Sequence, residues 1–251
     1  MPELALLQPE WPAPGNVRAA SSTRGGGVSQ GSFASLNLGA RTADDPQAVA
    51  RNRALLVEAL ALPAEPAWLR QVHGRRVLPA SRHAEAPADA SYSHRPREVC
   101  VVLTADCLPV LFCDRVGSVV AAAHAGWRGL AAGVLEATID ALGVAPETLL
   151  AWIGPGIGAT TFEVGEEVRA AFLAVDPAAG QCFAPSPRGR WLADLPGLAR
   201  RRLGAVGLHA VYGGQWCTYS DPERFYSHRR QSDTGRMASL IWLAAPPQGE
   251  V

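Results

Sequence analysis

The stretch from Val99 to Leu130 constrains this chain most. It holds three short apolar runs, Val99 to Leu103, Val110 to Phe112 and Val119 to Ala123, each bounded by breakers or polar residues. Continuous runs of this length suit strands buried on both faces. The first ends in Thr104-Ala105-Asp106-Cys107, and the third delivers His124 into Ala125-Gly126-Trp127-Arg128-Gly129. Reactive polar side chains at strand ends are poor core material and project into clefts. Upstream, Gln71-Val72-His73-Gly74 ends another apolar segment in the same manner.

The chain has 251 residues, at the upper end for one core. Without repeats, low-complexity tracts or an obvious linker, it is expected to form a single α/β domain over 1–251. The formal net charge is zero, so no overall basic field is offered to nucleic acid or to an anionic membrane. No apolar stretch is long enough to span a bilayer. Met1-Pro2-Glu3-Leu4 lacks the basic start of a secretion signal, so a cytoplasmic location is expected. Five cysteines, Cys100, Cys107, Cys113, Cys182 and Cys217, make an odd set without disulfide spacing and are expected to be reduced.

Val17 to Ser22 reads as a strand, followed by Gly25-Gly26-Gly27, whose backbone N–H groups could cradle an anion but which matches no P-loop, since no Gly-Lys-Ser/Thr follows, and which reads first as a flexible turn. Asp45-Pro46 starts a helix expected to run to about Leu62. Ala67 to Val72 and Arg76 to Pro79 are strand candidates, and Ser81 to Pro96, with His83 and His94, reads as a loop. Leu130 to Leu142 is an amphipathic helix stopped by Gly143. Leu149 to Ile153 is a buried strand, Gly165 to Val175 a helix, and Leu192 to Val206 a helix interrupted near Pro196. His209 to Tyr212 and Ala238 to Leu243 are the last strands. Between them, Cys217 to Arg230 is dense in polar and aromatic residues.

Three readings of His73, Cys107 and His124 stand open on spacing alone. Histidine nitrogen and cysteine thiolate bind zinc, and three protein ligands leave an open position for an activated water. Cys107 could instead be a nucleophile activated by an imidazole, with Asp106 orienting it or acting as a base. The third reading is structural: a buried thiol and two satisfied histidines. Cys100 and Cys113 lie inside apolar runs and read as core.

Gln71-Val72-His73-Gly74, Thr104-Ala105-Asp106-Cys107-Leu108-Pro109-Val110 and His124-Ala125-Gly126-Trp127-Arg128-Gly129 resemble the laccase-domain family of multi-copper polyphenol oxidases, the YfiH type. Ser22-Thr23-Arg24, Ser35-Leu36-Asn37-Leu38-Gly39, Ile153-Gly154-Pro155-Gly156-Ile157-Gly158 and Thr234-Gly235-Arg236-Met237-Ala238 match further pieces, so the resemblance covers nearly the whole chain. It implies a four-layer α/β/β/α sandwich with mixed sheets, similar to the catalytic domain of cytotoxic necrotizing factors. It also implies metal ligands at His73, Cys107 and His124 and a substrate-binding arginine at Arg53, and its kinship with toxins that use a cysteine and a histidine keeps a catalytic Cys107 open. Asp106, by its position beside Cys107, is expected to be a catalytic proton-transfer or orienting group.

The resemblance further implies phosphorolysis of adenosine, inosine and methylthioadenosine, with adenosine deamination beside it. Rivals are the removal of L-serine from UDP-MurNAc-L-Ser in cell-wall precursor editing, laccase-like polyphenol oxidation, and a metal-stabilised binding domain. Zinc is the expected metal, and copper suits the same nitrogen and sulfur donors. The six histidines show no further paired-ligand pattern and do not supply a multicopper relay. The expected partners are a purine nucleoside and phosphate, and the expected assembly is a monomer or homodimer.

Overall fold

The computed structural model describes residues 4–81 and 87–245. His83 lies outside the described residues, as do the first three residues. In chain order the elements are β1 (Leu6–Leu7), β2 (Val17–Ser22), α1 (Pro46–Ala59), β3 (Val77–Pro79), β4 (Ala90–Ser93), β5 (Val99–Thr104), β6 (Leu108–Asp114) and β7 (Val120–Ala125). There follow α2 (Trp127–Ala132), α3 (Val134–Leu142), β8 (Leu149–Ile153), β9 (Glu163–Val164), α4 (Glu166–Leu173), β10 (Phe183–Pro185), β11 (Trp191–Ala193), α5 (Leu195–Ala205), β12 (Val211–Gly213) and β13 (Met237–Leu243).

The fold is mixed α/β with several sheets. An antiparallel sheet has the order β1-β2-β13-β5, and a mixed sheet has the order β12-β8-β6-β7-β4-β3. A small third sheet, β10-β11-β9, lies apart in strand pairing. The successive strands β5 and β6 belong to different sheets. The chain changes sheet within Ala105-Asp106-Cys107, and Asp106 makes the corner with φ +94°, a left-handed backbone that side chains other than glycine rarely adopt.

The three largest apolar clusters hold these pieces together. Leu56 of α1 packs with Leu36, Leu38, Val99, Val101, Leu240 and Trp242 on one face of the first sheet. The other face, through Cys100, Val102 and Ile241, meets Leu111, Val120, Leu150 and Trp152 of the second sheet. The far face of the second sheet, through Val110, Phe112 and Ala151, meets Leu135, Ile139, Leu198 and Leu203 of α3 and α5. Both faces of β6 and β7 are therefore covered, which is why their sequences read as unbroken apolar runs.

Local signals explain several boundaries. Asp45 caps α1 by accepting from the Gln47 N–H, with Pro46 in the first turn. Asp194 caps α5 through the Gly197 N–H, so Pro196 begins that helix rather than interrupting it. The expected helix from Leu130 is two helices: α2 covers the supposed glycine loop and ends at Gly133, whose φ of +92° breaks the helical path before α3.

Ala67 to Val72 forms no strand beyond a single bridge from Arg70 to Pro87. The expected loop from Ser81 to Pro96 contains β4, seated between β3 and β7. Alanine and serine carry weak strand propensity, and pairing with β7 overrides it. No helix among the described residues is long and apolar enough to cross a membrane.

Candidate metal centre and its cavity

Strand register brings Cys107 and His124 together. Along β6 and β7, Leu108 stands opposite Ala125 and Pro109 opposite His124. Side chains alternate along a strand, so Cys107, two residues before Pro109, falls on the face that His124 shares. Gly126 then lies beside Cys107. A Cβ at that position would meet Cys107 Sγ at 2.8 Å and the His73 ring at 3.0 Å, so only glycine leaves room for the cluster.

His73 arrives from a separate segment at the end of no strand. Its backbone sits at φ +59°, and the segment is held by one buried carboxylate. Asp89 accepts hydrogen bonds from the backbone N–H groups of Val72, His73 and Gly74, the last at 2.7 Å. Its Oδ1 also accepts from His124 Nδ1 at 2.9 Å. Asp89 thus sets the position of one imidazole through the main chain and of the other through its ring. Sequence reasoning missed it because it lay in a stretch taken for a loop.

The ligand atoms of His73, Cys107 and His124 all lie within 4.8 Å of one another, with Cys107 Sγ 3.8 Å from His73 Nε2. The two rings meet edge to face at 4.8 Å between centroids. Tetrahedral zinc with bonds of about 2.0–2.3 Å separates its ligand atoms by roughly 3.5 Å. The donor set and spacing therefore fit a metal ion after a small contraction. The Asp89 bond occupies His124 Nδ1 and leaves Nε2 toward Cys107, the tautomer a metal would need.

Electrostatics couple these groups. Burial pushes the Cys107 thiol up, but the His124 and His73 imidazoles outweigh it and bring its pKa down to about 6. Burial pulls His124 down, and the Cys107 and Asp89 charges reverse this, raising it to about 9. Burial also pushes the Asp89 carboxyl up, while the His124 bond and the backbone N–H donors hold it below its ordinary value. Without metal, the favoured state is a thiolate facing an imidazolium.

The cluster forms part of the wall of a cavity of about 580 Å³. Arg41, Arg53, Arg70 and Arg236 also line it, and among the described residues Glu65 is the one carboxylate in its wall. Glu65 accepts from Trp68 Nε1 at 2.6 Å, and Trp68 in turn carries the Arg53 guanidinium 4.0 Å above its ring. Arg53 Nε donates to the Leu38 carbonyl at 3.0 Å. Gln71 uses both ends of its amide on the Leu103 backbone, which fixes the end of β5 beside the cavity.

Asp106 is not among the residues that line this cavity. Its carboxylate accepts from the Thr218 hydroxyl and from the Arg229 N–H, both at 2.6 Å, and so ties the segment after Trp216 to the sheet corner. Arg128 stacks on its neighbour Trp127 and does not line the cavity. Arg229 and Arg230 donate to main-chain carbonyls of Glu163, Thr218, Tyr219 and Phe225. His228 and Arg236, singled out by no spacing argument, do reach the cavity wall.

The fold and the site define a mixed α/β protein with a His-Cys-His candidate metal centre beside an arginine-lined cavity. The sequence profile of the family described as multi-copper polyphenol oxidoreductase laccase matches residues 18–244, and the chain belongs to that family.

A purine nucleoside phosphorylase of Pseudomonas aeruginosa is 59% identical over 240 residues, covering 95% of this chain and 98% of that protein. The purine nucleoside phosphorylase YfiH of Escherichia coli is 55% identical with the same coverage of both chains, 95% and 98%. A crystal structure of a Neisseria meningitidis protein superposes with a TM-score of 0.92 at 49% identity, covering 96% of this chain and 99% of that one. A YfiH protein of Bacillus licheniformis superposes at 0.87 with 29% identity and 97% coverage of each chain.

Proposed function

We propose that this protein is a zinc-dependent purine nucleoside phosphorylase acting on adenosine, inosine and methylthioadenosine, with adenosine deamination as a second activity in the same cavity. The observation that carries this reading is the 59% identity to a protein named a purine nucleoside phosphorylase, over 98% of that protein's length. The cavity supports it. Its volume falls in the range of small-molecule sites, about 300–1,000 Å³.

His73, Cys107 and His124 would hold the metal. Bound there, zinc would supply Lewis acidity and a lowered pKa for a coordinated water, the chemistry that deamination uses. With Asp89 accepting from Nδ1, His124 would offer a deprotonated Nε2 to such a metal. Phosphorolysis breaks the bond between the base and the ribose C1′ and forms a phosphate oxygen to C1′ bond. The incoming dianion must be desolvated and aligned, and arginine offers it paired donors. Arg53 is the proposed substrate-binding residue, braced by Leu38 and Trp68. Asp106 is proposed as a positioning residue for the Thr218–Arg229 segment, and Cys107 as a metal ligand. The order of the apolar clusters supports a four-layer α/β/β/α stacking. A cytoplasmic location goes with the reduced thiols and the purine chemistry.

The test is incubation of purified, metal-quantified protein with inosine, with and without phosphate. Hypoxanthine and ribose 1-phosphate are expected only with phosphate. Base release independent of phosphate, or none, overturns the assignment. Serine release from UDP-MurNAc-L-Ser in place of base release would move it to precursor editing.

A further inference from the structure

We propose that Arg236 is a phosphate-binding residue of this cavity, forming with Arg53 a two-arginine bracket built on the segment from Asn37 to Gly39. The proposal rests on the phosphorylase reading for its biological ligand, but its structural basis is independent of that reading.

The bracket is anchored by one short piece of backbone. The Arg236 N–H donates to Asn37 Oδ1 at 2.9 Å, and the Leu38 N–H donates to the Arg236 carbonyl at 3.1 Å. The carbonyl of the same Leu38 accepts Arg53 Nε. Two arginines from distant parts of the chain are thus fixed to one residue, and both line the cavity that contains Cys107 and His73. Asn37 is itself held: its carbonyl accepts from Asn52, the neighbour of Arg53 on α1, and its side chain reaches Asp44.

The Arg236 side chain is prepared for a ligand. Its Nη1 donates to the carbonyls of Thr234 and Gly235, which sets the plane of the guanidinium. Among the described residues no carboxylate pairs with it, and no acceptor is found for Nε and Nη2. Those two donors form the fork that matches an oxyanion. Its stem runs against Gly39, where a Cβ would stand 2.8 Å from Cγ and 3.2 Å from Cβ of Arg236. Gly39 is thus the residue that makes room for the arginine. The side chain is part-buried. Burial lowers its pKa, while the charges of Cys107, Asp106 and Asp233 oppose that shift. A part-buried cation without a contacting carboxylate is a costly arrangement unless an anion completes it.

The ligand class is a phosphate group, carried either by free phosphate or by a nucleotide. The test titrates the zinc-loaded protein calorimetrically with inorganic phosphate and, separately, with adenosine 5′-monophosphate. Arg236→Gln should weaken phosphate binding at least tenfold with zinc content unchanged. Arg236→Lys, which keeps the charge but loses the fork, should recover part of it. Gly39→Ala, which leaves both arginines in the sequence but crowds one stem, should weaken binding several-fold. In inosine phosphorolysis, Arg236→Gln should raise the KM for phosphate more than it lowers kcat. Arg236-dependent binding of the mononucleotide alone would identify the nucleotide as the source of the phosphate group. Binding within twofold of wild type in folded, zinc-loaded Arg236→Gln, or no binding of either probe by the wild type, overturns the proposal. Arg236-dependent phosphate binding without phosphorolysis would instead sink the phosphorylase reading and leave the subsite standing.

Discussion

Asp89 Oδ1 accepts two hydrogen bonds of 2.9 Å, one from the His124 ring and one from the His73 backbone N–H. One carboxylate oxygen therefore indexes two candidate ligands that come from different parts of the chain. The loop end at His73 cannot shift without disturbing the orientation of the His124 imidazole, and the reverse holds as well.

Replacing that carboxylate should loosen the metal without removing a ligand. Partners of ligating histidines are commonly worth about 10–100-fold in metal affinity. Asp89→Asn is expected to lower zinc affinity by that order, read by competition with a chromogenic chelator. Unchanged affinity in a folded variant would show that Asp89 serves the loop alone.

Gly126 offers a steric version of the same experiment. Gly126→Ala places a methyl group against Cys107 Sγ and the His73 ring, at 2.8 and 3.0 Å. Zinc content on purification should fall clearly while the circular dichroism spectrum stays native. A variant that retains full zinc would mean that the cluster can spread without cost.

Cys107 should report its environment by its pH profile. Its folded-state pKa is depressed to about 6 from an ordinary 9.0, so the thiolate is present above the lower value and lost as pH falls through it. The His124 imidazolium that favours it persists as pH rises until about 9. In zinc-free protein the rate of Cys107 alkylation by iodoacetamide should rise with a midpoint near pH 6. Added zinc should suppress it. A midpoint near 9 would contradict the thiolate–imidazolium pair.

Asp106→Asn tests whether that carboxylate anchors or reacts. The amide cannot accept from both Thr218 and the Arg229 N–H as the carboxylate does. A buried donor left unsatisfied costs about 1–3 kcal/mol, so the Tm should drop and proteolysis near 217–230 should quicken, with zinc retained. Native stability combined with lost turnover would return Asp106 to a chemical role.

The sequence marked the strands from β5 to β8 and the three side chains whose ligand atoms the fold brings within 4.8 Å of one another. The runs Val110 to Phe112 and Val120 to Ala123 are apolar on both faces because β6 and β7 lie between a second sheet and helices. Cys107 and His124 stood out because reactive side chains follow those runs at their ends, and His73 because it closes the separate apolar segment before Gly74. Tertiary structure alone decided the rest. Asp89 and β4 were hidden in a serine- and alanine-rich stretch, since their role comes from pairing with β7 and from backbone N–H groups, which carry no sequence mark. Asp106 and Cys107 are neighbours in sequence, yet the φ of +94° at the corner sends one carboxylate to the Thr218–Arg229 segment while the thiol reaches the cavity wall. Arg236 looked like any of 23 basic residues until Leu38 joined it to Arg53. Period and composition report burial along an element. Which distant side chains share a cavity depends on register and sheet order, and those are fixed only when the chain closes on itself.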